Sequence, residues 1–137
     1  MPAAVPFVRL LELEYLDLGP GTATVRLPER PELENHVGTQ HAGALFTVAE
    51  TASGAAFIAG FVDRLAEITP LAKSASVDFQ KLAKGPIDAT ARVEGLDGLL
   101  ATLEAEGKVE FPINVVMKDG EGQQVATATV DWHIRKK

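Results

Sequence analysis

Alternation of apolar and polar positions fills both ends of this chain and is absent from its middle. Thr22 to Leu27 sets Ala23, Val25 and Leu27 against Thr22, Thr24 and Arg26, the pattern of a strand with one buried face. Glu12 to Leu18 precedes it across Gly19-Pro20-Gly21, so the two runs predict a hairpin. Pro6 to Leu11 can open as a short helix, with proline in the first turn, where its missing N–H does no harm. From Ala42 to Val62 the alternation stops. Twenty-one residues are apolar or small, apart from Thr and Ser hydroxyls and one carboxylate, Glu50. A helix that is apolar on every face has to be surrounded by other structure. Its length would also suit a bilayer. Ala and Gly dominate it, however, and Glu50 near the middle costs roughly 2.5–3.5 kcal/mol on insertion scales. A buried helix wrapped by a sheet is the better reading, and Gly43, Gly54, Ala55, Ala56 and Gly60 let strands approach its backbone closely.

Pro28 to Gln40, with two prolines and a glycine, reads as a loop into this helix. Asp63 to Thr69 reads as a surface connection, and Pro70 limits how far helix continues. Four strand-like segments follow. Ala75, Val77 and Phe79 alternate with Ser76, Asp78 and Gln80. Ile87 to Val93 alternates after a Lys84-Gly85-Pro86 turn, and Gly95 to Gly98 breaks the chain again. Leu103 to Met117 keeps a period of two over fifteen residues, with Pro112 implying an edge position or a bulge. Asp119-Gly120 and Gly122 mark a hairpin turn before a last strand with Ala126, Ala128, Val130, Trp132 and Ile134 on one face. Strands joined by short turns pair antiparallel. The expected architecture is α+β: one domain over 1–137, with a long central helix wrapped by a curved antiparallel sheet of five to six strands.

The net charge of −6 argues against nonspecific binding to nucleic acid or an anionic membrane surface. With no cysteine there is neither a disulfide framework nor a thiolate metal site. The N-terminal stretch lacks the basic and extended apolar regions of a signal peptide. These features set the expectation of a cytoplasmic protein with no nucleic-acid or membrane partner.

Candidate chemistry gathers on the long helix. Around His41, Ala42 and Gly43 its first N–H groups and the positive end of its dipole offer a site for an anion or a developing oxyanion. The plainer alternative is an ordinary helix start with His41 near the cap. Glu50, isolated on an apolar helix, has to be paired with a cation or carry a raised pKa suited to a general base. Asn35 can order a water or a substrate carbonyl, or simply form a turn. Eight residues separate Ala42 from Glu50, about 12 Å along a helix axis, so one substrate can meet both only if two chains supply them. His41 and Glu50, nine apart, are half a turn out of phase, which disfavours a shared metal ion.

The run N-H-V-G-T-Q-H-A-G-A-L-F-T-V-A-E, Asn35 to Glu50, resembles the signature of hotdog-fold acyl-CoA thioesterases of the phenylacetate-degradation type. There it usually reads N-x-x-x-x-x-H-G-G-x-x-x-x-x-x-D. Ser76-Val77-Asp78-Phe79 and the Lys84-Gly85 turn also look like that family's central strand and the turn after it. The resemblance implies a homodimer, and further pairing into a tetramer is open. It implies an Ala42 backbone N–H as oxyanion donor and Glu50 of the partner chain as general base or nucleophile. It also implies Asn35 placing water or carbonyl, and Ser76 assisting the acidic residue. Lys81, Lys84 and Arg92, with Lys73 as a further candidate, would meet the phosphates of coenzyme A, which enters as part of the substrate with no other cofactor. Two positions depart from the pattern: Ala42 stands for the usual first glycine and Glu50 for the more frequent aspartate. Two alternatives remain open, a non-catalytic acyl-CoA-binding module and a hotdog dehydratase pairing His36 with Glu50.

Overall fold

The structure is a computed structural model describing residues 5–137; the first four residues, where the N-terminal stretch read for a signal peptide begins, lie outside them. Helix α1 (Pro6–Leu11) buries Val8 and Leu11 and ends at Glu12, which takes a left-handed conformation and returns its N–H to Arg9 and Val8 carbonyls. Strands β1 (Glu14–Gly19) and β2 (Thr22–Leu27) form the expected hairpin, closed by Gly21 at φ +77°. A bulge at Leu16 follows Tyr15 in β1. The long helix α2 (Ala42–Gly60) is followed by a short 3-10 turn, Val62–Glu67.

The six strands make one antiparallel sheet in the order β1-β2-β4-β5-β6-β3, with β3 (Ile68–Phe79), β4 (Ile87–Arg92), β5 (Lys108–Lys118) and β6 (Gln124–Lys136). The inner face carries Ala23, Val25, Leu27, Ile87, Ala89, Ile113, Val115 and Val130, all at most 1% exposed. Val48, Ala49, Ala52 and Ala56 of α2 are equally buried against it. By length and composition α2 could cross a membrane; here more than half of its apolar stretch is enclosed by the fold.

Three expectations need correcting. The segment from Leu103 is not yet strand: Leu96–Glu106 forms helix α3, and β5 starts only at Lys108. Leu96, Leu99, Leu100 and Leu103 fall at i, i+3, i+4 and i+7, a helical stripe that packs on the core, with Leu103 fully buried. Gly107, at φ +77°, terminates the helix by donating its N–H to the Leu103 carbonyl. The apolar spacing of 103, 105 and 107 was therefore a coincidence of two periods. Second, β4 and β5 are joined through this helix rather than by a short turn. Third, β3 begins at Ile68, so Thr69 and Pro70 belong to strand rather than to a surface connection. Pro70 is tolerated because β3 is the outer strand, paired with β6 alone. Pro112 obeys the same rule locally: β4 pairs with β5 only from Asn114 onward, so Pro112 has a ladder neighbour on one side.

Leu103→Ala should cost about 2–5 kcal/mol in a denaturant titration, as for other fully buried leucines. A loss well below that would show that α3 is not seated on the core as described.

Candidate functional site

The loop before α2 is built around Asn35. Its Oδ1 accepts the N–H groups of Val37 and Thr39, each at 3.0 Å, and its Nδ2 donates to Thr39 Oγ1 at 2.9 Å and the Gln40 carbonyl at 3.4 Å. The side chain is thus occupied in shaping the loop. Gln40 fastens the loop to the sheet side, its Nε2 reaching the Pro28 and Gly85 carbonyls at 3.0 and 2.9 Å. The N–H groups of Gln40 and His41 bond to the Ala83 and Leu33 carbonyls.

His41 is the N-cap of α2, and its Nδ1 accepts the Gly43 N–H at 2.8 Å. That nitrogen has to be unprotonated to accept. A Cβ on residue 43 would lie 3.1 Å from the same nitrogen, so glycine keeps the cap close. With the amides of 40, 41 and 43 engaged, the exposed Ala42 N–H is left without an acceptor among the described residues. Ala42 and Asn35 line a small cavity of about 130 Å³ together with Lys81. Lys81 and Lys84 line the adjoining depression of about 510 Å³, against the β5–β6 turn.

Glu50 lies elsewhere. It lines an apolar cavity of about 290 Å³ between α1, β1 and α2, with Val8, Tyr15, Thr51, Phe57 and Trp132 among its walls. No cation lies within 4 Å of its carboxylate among the described residues, and burial raises its pKa above the ordinary value of 4.5. The ion-pair alternative therefore finds no partner among the described residues. Burial likewise raises the pKa of the Tyr15 phenol, and the Glu50 charge adds to the effect. Behind Glu50, Ser53 Oγ donates to its carbonyl at 2.7 Å and receives the Trp132 indole N–H at 3.0 Å.

The chain thus brings Asn35, Ala42, Gly43, His41, Lys81 and Lys84 to one end of α2 and places Glu50 in a separate cavity. Ser76 pairs with Thr129, on the sheet face turned away from α2, so within one chain it does not meet Glu50. Arg92 lines a groove on that outer face, and Lys73 is paired with Glu110 at 3.0 Å. His36 is exposed in the loop and lines neither the Ala42 nor the Glu50 cavity. Among the described residues no three His, Cys, Asp or Glu side chains gather as a metal site.

Sequence reading missed Tyr15, Thr51 and Trp132. The chain has a single tyrosine and a single tryptophan, a signal that these rings are worth placing, but nothing in the alternation aimed them at Glu50.

The sequence profile of a domain of unknown function (DUF4442) matches residues 1–134. Among solved structures, PA5026 of Pseudomonas aeruginosa, a protein of unknown function described as a probable thioesterase, superposes with a TM-score of 0.89. It shares 31% identity, covering 99% of this chain and 91% of that one. The chain belongs to the DUF4442 family, within the hotdog-fold thioesterase superfamily. The S. sahachiroi AziG structure is also similar, at 25% identity and a TM-score of 0.78, covering 97% of this chain and 98% of its own. The Escherichia coli PaaI protein, from the phenylacetic acid degradation operon, shares the hotdog fold at 19% identity and a TM-score of 0.76 over 96% and 85% of the two chains. No curated protein sequence matches. The expected hotdog architecture is thus the observed one, with α2 as the central helix and six strands in the wrapping sheet.

Because the native state holds the Glu50 proton to higher pH than the unfolded chain does, stability falls as pH rises through the window above 4.5. Glu50→Gln, which has no charge to desolvate, should therefore melt higher than wild type at neutral pH. The difference should shrink as pH drops toward that value. Equal melting temperatures across the range would show that the carboxylate is not desolvated.

Proposed function

We propose that the protein is an acyl-CoA thioesterase whose active site is completed by a second copy of the chain. The observation that supports this most directly is the division of the site. An unpaired helix N-terminal amide with two nearby lysines lies at one end of α2, while a desolvated carboxylate lies beside an apolar cavity about 12 Å along the axis. Each half lacks what the other supplies.

In this reading the thioester carbonyl accepts a hydrogen bond from the Ala42 N–H of one protomer, which stabilises the oxyanion as it forms. Glu50 of the other protomer takes a proton from water as the water oxygen bonds to the carbonyl carbon. The C–S bond then breaks, releasing the carboxylic acid, and the coenzyme A thiolate leaves and is protonated. The raised pKa of Glu50 suits a base working near neutrality. Direct attack by the carboxylate, giving a transient anhydride, uses the same geometry. Lys81 and Lys84 meet the phosphates through charge-assisted contacts. Asn35 acts by holding the loop that presents Ala42.

The second copy has a place to join. Strand β3 leaves one edge unpaired and is exposed along nearly its whole length, with Leu71 and Phe79 more than half exposed. A long open edge of this kind is a template for pairing with another strand. Antiparallel pairing of two β3 strands would make a homodimer with a continuous sheet and two α2 helices on one side of it.

The test is thiol release from short, medium, long and aromatic acyl-CoAs, which the absence of cysteine leaves free of background. Glu50→Gln should lower kcat by about 10²–10⁴. Ala42→Pro, which removes the N–H at a position where helices accept proline, should also be inactive. Co-refolding the two variants should restore about a quarter of wild-type activity, since random pairing makes half the dimers mixed and gives each mixed dimer one intact site. Absence of recovery, with dimers verified by light scattering, would sink the shared site, and a fully active monomer would sink it equally.

A further inference from the structure

We infer that the cavity beside Glu50 is the acyl pocket, and that Thr51 makes it select a compact acyl group carrying a hydroxyl or carbonyl along its chain. The inference rests on the thioesterase reading and adds a substrate class to it. Three observations carry it.

The first is the state of Thr51. It is 7% exposed, lines the cavity, and its Oγ1 is buried with no hydrogen-bond partner among the described residues. Its neighbours on α2 do not share this condition. Thr47 Oγ1 donates back to the Gly43 carbonyl at 2.8 Å, and Ser53 Oγ to that of Glu50 at 2.7 Å, the usual way helical hydroxyls are satisfied. Thr51 keeps both its donor and its acceptor capacity for something that enters the cavity.

The second is the rest of the wall. Val8 and Phe57 are apolar, and the Trp132 indole N–H is already taken by Ser53. Apart from Glu50 and the Tyr15 hydroxyl, polar recognition along this wall therefore falls to Thr51. A plain methylene chain would leave its hydroxyl unpaired, whereas a chain with a hydroxyl or carbonyl at the right carbon would satisfy it. Sites that hold an unpaired polar group discriminate strongly for the ligand that pairs it.

The third is size. A cavity of about 290 Å³ is at the small end of ligand pockets. At roughly 30 Å³ per water-sized group it holds about ten non-hydrogen atoms. That fits a medium chain or a single ring.

The experiment compares hexanoyl-CoA with the hydroxyhexanoyl-CoAs whose hydroxyl sits at successive carbons from 3 to 6, using wild type, Thr51→Val and Thr51→Ser. One positional isomer should exceed hexanoyl-CoA in kcat/KM by roughly tenfold, the worth of one neutral hydrogen bond. Thr51→Val should abolish that preference, and Thr51→Ser should keep it. No preferred isomer, or a preference that survives Thr51→Val, overturns the proposal. Should Thr51→Val fail to fold, Thr51→Ala carries the same comparison. If wild type hydrolyses none of these thioesters, the thioesterase reading fails, and the pocket is judged by calorimetry with thioethers that have no scissile carbonyl. Tighter binding of an S-hydroxyhexyl-CoA than of S-hexyl-CoA, lost in Thr51→Val, then supports the pocket, and equal binding overturns it.

Discussion

A helix apolar on every face cannot be covered by one sheet, because a sheet shields only the side it packs against. In this protein α2 buries Leu45, Val48, Ala49, Ala52 and Ala56 against the strands, while Phe46, Glu50, Gly54 and Ile58, at helical spacing, remain partly open. The open stripe carries Glu50. The same incompleteness appears in β3, which extends beyond the helix with an unpaired edge and apolar side chains in solvent. Both features are costs that a second surface would relieve. The fold and the proposed site thus follow from a single packing deficit.

The central helix, the first hairpin and the last two strands were legible because their patterns admit one reading. Ala42–Gly60 is too long and too apolar for a loop, and Val109 to Met117 and Ala128 to Ile134 alternate with no helical alternative. Helix α3 was hidden because Leu103 fits two periods at once, and only the stripe starting at Leu96 separates them. The early start of β3 was hidden because Pro70 reads as a breaker unless the strand is known to be at the edge, which is a property of the sheet and not of the segment.

The site was legible in part for the same reason. Glu50 stood out because a lone carboxylate on an apolar helix has to be explained. Thr51 did not, because helical hydroxyls normally satisfy themselves locally and the letters do not say which one fails to. Tyr15 reaches the cavity from β1 just before a bulge, and a bulge cannot be placed by alternation alone. Asn35 shows the converse. Both of its readings were chemically open, and the four hydrogen bonds it makes within its own loop give it a structural task that supports the Ala42 amide from behind.

The Trp132–Ser53 hydrogen bond has a consequence for where α2 sits lengthwise. Hydrophobic burial has no direction, and a helix of alanines and glycines presents a smooth cylinder with few knobs to lock it against sliding. Trp132 lies over Gly54, where an added Cβ would meet the indole at ordinary contact distance, and it hooks Ser53 from β6. This contact acts as a detent: it fixes which turn of the helix faces the sheet's centre. The height of Glu50 above its cavity, and its distance from anything a partner presents, is therefore set by an indole one residue layer away.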